Sequence, residues 1–176
     1  MKRAVFLDRD GVLNRAILRE GKYRPPHGLD ELQLYPDAPD ALARLKSAGF
    51  MLIAVTNQPD VGRGTQTVAG VEAINAAISA RLPIDDWFVC YHAGHEGCAC
   101  RKPKPGMILE AVRKHAIDPA CSFMIGDRWS DVDCGIAAGV TTIWIDRRYG
   151  EREPAGSPHY RARTLAEAVD WILAAA

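Results

Sequence analysis

AVFLDRDGVLN, residues 4–14, begins with four apolar residues, meets a carboxylate at Asp8, repeats it at Asp10 and can turn at Gly11. A continuous apolar run, rather than an alternating one, reads as a strand buried on both faces. The same pattern recurs along the chain. Met51-Leu52-Ile53-Ala54-Val55 runs into Thr56-Asn57, Phe123-Met124-Ile125 into Gly126-Asp127, and residues 141–145 into Asp146. Trp87-Phe88-Val89 leads into a cluster of cysteine and histidine. Between these runs the apolar spacing becomes helical. Leu42 and Leu45 share a face of residues 38–48 before the stop Gly49, and Val68, Val71, Ile74 and Ile78 share one of residues 67–81. Pro105 opens a helix through Ile108, Leu109 and Val112; residues 130–138 form another, closed by Gly139, and Thr164 caps a last one.

Strands alternating with helices predict a single α/β domain, residues 1–176, on a mostly parallel sheet. Ligands of such sheets bind beyond the carboxyl ends of the strands, so Asp8, Asp10, Thr56, Asn57 and Asp127 are expected on one rim. Residues 15–35 read as a long polar connection of the length functional loops have. Within it, residues 23–27 (Tyr23 to His27) are expected to touch the substrate.

The chain has 176 residues, 48% hydrophobic and 25% charged, the make-up of an ordinary globular protein. Lys plus Arg and Asp plus Glu number 22 each, and partners held by bulk positive charge, nucleic acid or an anionic membrane, are not expected. No apolar stretch reaches the length of a membrane span, and no signal-peptide core precedes Asp8. The expectation is a cytoplasmic protein, with a monomer as the default.

Two carboxylates one residue apart can divide nucleophilic and acid–base labour. A carboxylate at a strand end can attack phosphorus, giving an acyl phosphate that water later cleaves. That attack brings two anions together, so a cation has to neutralise them, and Asp8 with Asp127 offers the oxygen ligands that magnesium takes. A lone aspartate after a strand is more often a turn former, but polar groups at successive strand ends need another explanation.

Of the five cysteines, Cys90, Cys98 and Cys100 crowd together with His92 and His95. Three thiolates and one imidazole make a closed tetrahedral zinc site in the loop 90–100, with no position left for catalysis. His92 and His95 both remain open as the fourth ligand. Zinc would fold this hydrophilic loop and set Arg101 and Lys102 over the phosphate site. Cys121 and Cys134 are expected as small core residues, and Trp87, Trp144 and Trp171 as packing aromatics. Trp129 either packs or lines the pocket.

FLDRDGVLN (6–14), VTNQ (55–58), RKPKPGM (101–107) and GDRWSD (126–131) resemble, in order, the four motifs of the haloacid dehalogenase (HAD) superfamily of phosphatases. The resemblance covers essentially the whole chain. It implies a HAD-like, Rossmann-type three-layer sandwich, and the intervals between motifs are too short for a cap domain. It also implies roles. Asp8 would be the nucleophile and a magnesium ligand. Asp10 would be general acid and then base, with its backbone carbonyl on magnesium. Asp127 would complete the metal site, and Asp131 would orient its neighbours. Thr56 and Asn57 would bind the phosphoryl oxygens and Lys102 would balance charge, with Lys104 its rival. Asn57, Gln58, Arg101 and Arg128 would lie against the substrate.

The CYH pattern at 90–92 followed by CACRKP at 98–103 is similar to the zinc-containing branch of that superfamily, whose members hydrolyse heptose bisphosphates or histidinol phosphate. In that branch the ligands match Cys90, His92, Cys98 and Cys100. The PGM ending at 105–107 and TNQPDVGRG at 56–64 favour the heptose side, although Pro59-Asp60 and the long loop after Asn14 depart from it. The expected substrate is a small phosphorylated sugar, with histidinol phosphate and a polynucleotide end as alternatives.

Overall fold

A computed structural model describes residues 1–175. In chain order, β1 (Ala4–Leu7) is followed by a hairpin of β2 (Ile17–Arg19) and β3 (Lys22–Arg24), then by α1 (Ala38–Ser47), β4 (Met51–Asn57), α2 (Pro59–Gly62) and α3 (Val68–Ser79). The second half runs β5 (Asp86–Cys90), α4 (Gly106–His115), β6 (Phe123–Gly126), α5 (Trp129–Ala138), β7 (Thr141–Ile145), β8 (Tyr160–Ala162) and α6 (Leu165–Ala175). Six strands form one sheet in the order β5-β4-β1-β6-β7-β8, and every neighbouring pair in it is parallel.

β1 is buried over its whole length because it lies at the centre of three layers. Val5 and Leu7 pack with α1, α3 and α6, while Ala4 and Phe6 pack with α4 and α5. Both faces are apolar for that reason. From β1 the chain builds outward through β4 and β5 on one side, then returns to β6 and β7 on the other. The crevice of such a sheet opens where the order reverses, at the carboxyl end of β1 between β4 and β6.

Local chemistry sets the helix ends. The Thr67 hydroxyl accepts from Gly70 N–H at 3.0 Å and the Thr164 hydroxyl from Glu167 N–H at 3.1 Å, each satisfying a free first-turn donor. Among the described residues no helix is long and apolar enough to cross a membrane.

Several expectations need correction. Val68 is 48% exposed, and the buried face of α3 is Val71, Ile74, Asn75 and Ile78, which rotates the helix away from the purely apolar stripe. In α4, Leu109 is exposed, and Met107, Ile108 and Ala111 face the core instead. Cys134 is buried, but Cys121 is exposed. Cys121 ends a single-turn 3-10 helix, Pro119–Cys121, that precedes β6 and stands outside the core. Residues 15–35 are not a plain connection: they hold the β2–β3 hairpin and a 3-10 turn, Leu29–Glu31, tied together by an Arg19–Glu31 ion pair. The strand β8 lacks a sequence signature because it is three residues long and pairs only with β7.

Candidate active site

The strand ladder carries Asp8 into the crevice: its N–H donates to Ile125 O at 3.0 Å. The chain then turns on the Arg9 carbonyl, which accepts from the N–H groups of Val12, Leu13 and Asn14. Gly11 is required here twice over. Its φ is +99°, and a Cβ would lie 1.8 Å from Asp127 Oδ2, so only glycine permits both the turn and the approach of that carboxylate.

Lys102 is the buried hub. Its Nζ lies 2.8 Å from Asp8 Oδ1 and 2.6 Å from Asp131 Oδ1, and donates to Val55 O at 2.8 Å. Burial works against the ammonium, but Asp131 and Asp8 outweigh it and hold its pKa above the usual range. Asn57 brackets the Lys102 backbone: its Nδ2 donates to Lys102 O and its Oδ1 accepts from Lys102 N–H, both at 3.1 Å. Lys104 is elsewhere, donating to Cys98 O at 2.8 Å and Gly97 O at 3.2 Å. Its rivalry with Lys102 is decided by depth.

Oxygens of Asp8, Asp127 and Asp131 lie within 4.8 Å of one another. Asp131 also accepts the N–H groups of Asp127 and Arg128, at 3.2 and 3.0 Å. The Asp127 carboxylate is only 3% exposed, and the Tyr149 hydroxyl beside it is placed to donate to it. Burial, followed by the charges of Asp8 and Asp131, pushes the Asp127 carboxyl well above its ordinary range. Burial likewise raises Asp8 to about 6, against the pull of Lys102. One ammonium facing three carboxylates leaves negative charge in a dry site. An all-oxygen donor set with that excess of negative charge fits a hard divalent cation.

Asp10 accepts from Gln58 Nε2 at 2.8 Å, Asn14 Nδ2 at 3.0 Å and Arg9 Nε at 3.2 Å. Gln58 therefore stands behind Asp10 rather than against a substrate. It is 2% exposed and also donates to Thr56 Oγ1 at 2.9 Å, and it does not line the cleft. Its amide faces inward because α2 begins directly after it and turns the chain away. Asn57 does line the cleft, with its amide spent on Lys102.

The cleft encloses about 300 Å³, with Asp8, Asp10 and Lys102 at its base and Arg101 and Arg128 on its wall. Arg128 donates to Tyr23 O at 3.0 Å and pairs with Glu151, so it ties the hairpin to the segment after β7. Trp129 lines the cleft rather than the core, with the Arg152 guanidinium 3.5 Å from its ring centroid. Arg24 and Arg63 also reach it. Arg63 and the buried Arg9 escaped the sequence reading as individual site residues, the first because it lies past a short helix that has no sequence signal.

Beside this cleft the three cysteines converge on His92, not His95. Cys90 Sγ lies 3.6 Å from His92 Nδ1 and 3.7 Å from Cys98 Sγ, and Cys100 Sγ 3.3 Å from His92 Nδ1. Ligands about 2.3 Å from a tetrahedral zinc stand roughly 3.8 Å from each other, so the set fits such an ion. Burial pushes the Cys90 thiol up to about 12, and a thiolate there needs a cation beside it. Arg101 and Lys102 follow Cys100 directly and inherit their placement from this loop.

A sequence model of haloacid dehalogenase-like hydrolases matches residues 15–139. A D-glycero-beta-D-manno-heptose-1,7-bisphosphate 7-phosphatase of Helicobacter pylori J99 is 33% identical, over 97% of this chain and 97% of its own. The Escherichia coli K12 enzyme of that name is 32% identical, over 97% of this chain and 87% of its own. Among solved structures, the D,D-heptose 1.7-bisphosphate phosphatase of B. bronchiseptica, complexed with magnesium and phosphate, superposes with a TM-score of 0.83 at 29% identity. That superposition covers 100% of both chains.

Proposed function

The chain belongs to the haloacid dehalogenase-like hydrolases, as a phosphatase of that family, and from this we propose that it removes one phosphate from a heptose 1,7-bisphosphate through a covalent intermediate on Asp8. The observation that carries the reading is the Asp8 carboxylate, held 2.8 Å from the buried ammonium of Lys102 and grouped with the carboxylates of Asp127 and Asp131.

In the first step an Asp8 oxygen attacks phosphorus, the ester P–O bond breaks, and Asp10 gives its proton to the departing sugar oxygen. In the second, Asp10 takes a proton from water, the water oxygen attacks phosphorus, and the bond to Asp8 breaks to release phosphate. Lys102 balances charge on the attacking carboxylate and the phosphoryl group. Asp131 and the Asn57 amide hold Lys102 in place. Magnesium would be held by Asp8, Asp127 and the Asp10 carbonyl, and when bound supplies positive charge at the phosphoryl oxygens. Zinc would be held by Cys90, His92, Cys98 and Cys100, closing the loop that carries Arg101.

The substrate reading rests on charge and kinship. Arg24, Arg63, Arg101 and Arg128 all border the cleft; Arg63 and Arg128 are paired with Asp60 and Glu151, while Arg24 and Arg101 have no carboxylate partner among the described residues, and guanidinium forks suit a second phosphate group. The named relatives act on heptose bisphosphates. Phosphate release from heptose 1,7-bisphosphate, fructose 1,6-bisphosphate, histidinol phosphate and a 3′-phosphorylated oligonucleotide tests it. The expected result is at least about a tenfold preference in kcat/KM for the heptose, roughly 1.4 kcal/mol. Equal or better turnover of any other member refutes the substrate, and Asp8→Asn with full turnover refutes the mechanism.

A further inference from the structure

Asp10 faces the cleft, and Arg9 grips it from outside the cleft lining. Arg9 Nε lies 3.2 Å from each Asp10 oxygen and Nη2 3.1 Å from Oδ2. The Arg9 side chain is fully buried, and its Nη1 donates to Asn75 Oδ1 at 2.9 Å. Asn75 is out of character with its surroundings. It occupies the buried face of α3 among Val71, Ile74 and Ile78, and its amide nitrogen has no partner among the described residues. A buried donor left unpaired is destabilising, so its one bond, to Arg9, is what the asparagine contributes. A guanidinium stays charged and its fork is planar and stiff, so the pair transmits the position of a helix to the position of a carboxylate.

We infer that Arg9 and Asn75 are positioning residues for proton transfer: Asn75 on α3 fixes the Arg9 guanidinium, which holds the Asp10 carboxylate toward the leaving group. The inference rests on the role of Asp10 as general acid. The competing view is that Arg9 and Asn75 only support the fold, and leaving-group chemistry separates the two. A sugar alkoxide cannot depart without a proton, whereas p-nitrophenolate, with a conjugate-acid pKa of about 7, departs almost unaided. A misplaced acid therefore slows the sugar phosphate alone, whereas a damaged fold slows both.

The test measures kcat/KM, which covers only the steps through departure of the leaving group, for a sugar phosphate and for p-nitrophenyl phosphate. Asn75→Leu, similar in shape, is expected to lower the sugar value by about 10- to 100-fold and the nitrophenyl value by less than about threefold. Asn75→Asp keeps an acceptor for Nη1 and restores most of the sugar rate, while Arg9→Met gives the larger selective loss. Thermal unfolding identifies any variant that fails to fold, and the Asn75 pair decides the matter if Arg9→Met does. Equal losses with both esters, or no loss with either, overturn the inference. Wild-type protein that hydrolyses neither ester overturns the underlying phosphatase reading instead.

Discussion

Replacing Asp127 by Asn separates two effects of one carboxylate, repulsion of its neighbours and attraction of a cation. Asp8 and Asp131 stand within 4.8 Å of the Asp127 carboxylate, and Lys102, Arg128 and the Tyr149 hydroxyl offset that repulsion only in part. Without metal the folded protein holds the Asp127 proton well above the usual carboxylate range. An amide carries no charge and relieves the repulsion from Asp8 and Asp131, so Asp127→Asn is expected to cost the metal-free protein no more than about 3 kcal/mol. The wild type behaves differently when magnesium is added. At about a hundred times the dissociation constant, mass action adds about 2.7 kcal/mol, or about 5–11 °C in Tm for a chain of this size. The variant loses most of that gain.

The pH dependence follows from Asp8, whose pKa is raised to about 6 by burial. The folded state keeps a proton that the unfolded chain releases near 4, so the contribution of Asp8 to metal-free stability is fully present below that pH and is lost as pH rises through about 6. For Asp8 alone the fall is up to about 3 kcal/mol. Magnesium offsets it, and the magnesium-induced shift therefore grows with pH. Thermal unfolding followed by circular dichroism, in EDTA and in magnesium, from below about pH 4 to above about pH 7, measures all of this. An Asp127→Asn protein that keeps the full magnesium shift, or loses more than about 3 kcal/mol in EDTA, refutes the reasoning.

Lys102→Met leaves Asp8 and Asp131 unpaired in a dry site; denaturant unfolding should show a loss of about 3–5 kcal/mol, and kcat/KM should fall by about 10²- to 10³-fold. Cys100→Ser removes one of four converging ligands, so elemental analysis should show less than one zinc per chain, with turnover falling as the Arg101–Lys102 segment loosens. Arg24 borders the cleft and has no ion pair among the described residues. Arg24→Ala should raise KM for a bisphosphate by about 10-fold or more while leaving that of a monophosphate nearly unchanged, a split that steady-state kinetics reads directly.

What the chain alone disclosed was whatever depends on local chemistry. β1 is legible because four consecutive apolar residues suit only a strand covered on both faces, and the rim is legible because each strand stops at a polar residue. Thr164 is readable as a cap because a hydroxyl meets a free N–H three residues away, whereas Thr67, read as the first residue of its helix, proves to be that helix's cap. The cysteine cluster is readable for a similar reason, since its four ligands fall within eleven residues. The tertiary structure decided where each polar group points. Asn57 and Gln58 are adjacent in sequence, yet one clamps Lys102, 45 residues away, and the other backs Asp10, 48 residues away. Lys102 outranks Lys104 because only it reaches the carboxylates, and His92 outranks His95 because only it reaches the thiols. Asn75 reads as a flaw on an apolar face until Arg9, 66 residues earlier, is seen to need it. A buried polar group is explained by its partner, and the packing of α3 against the end of β1 supplies a partner that no local spacing encodes.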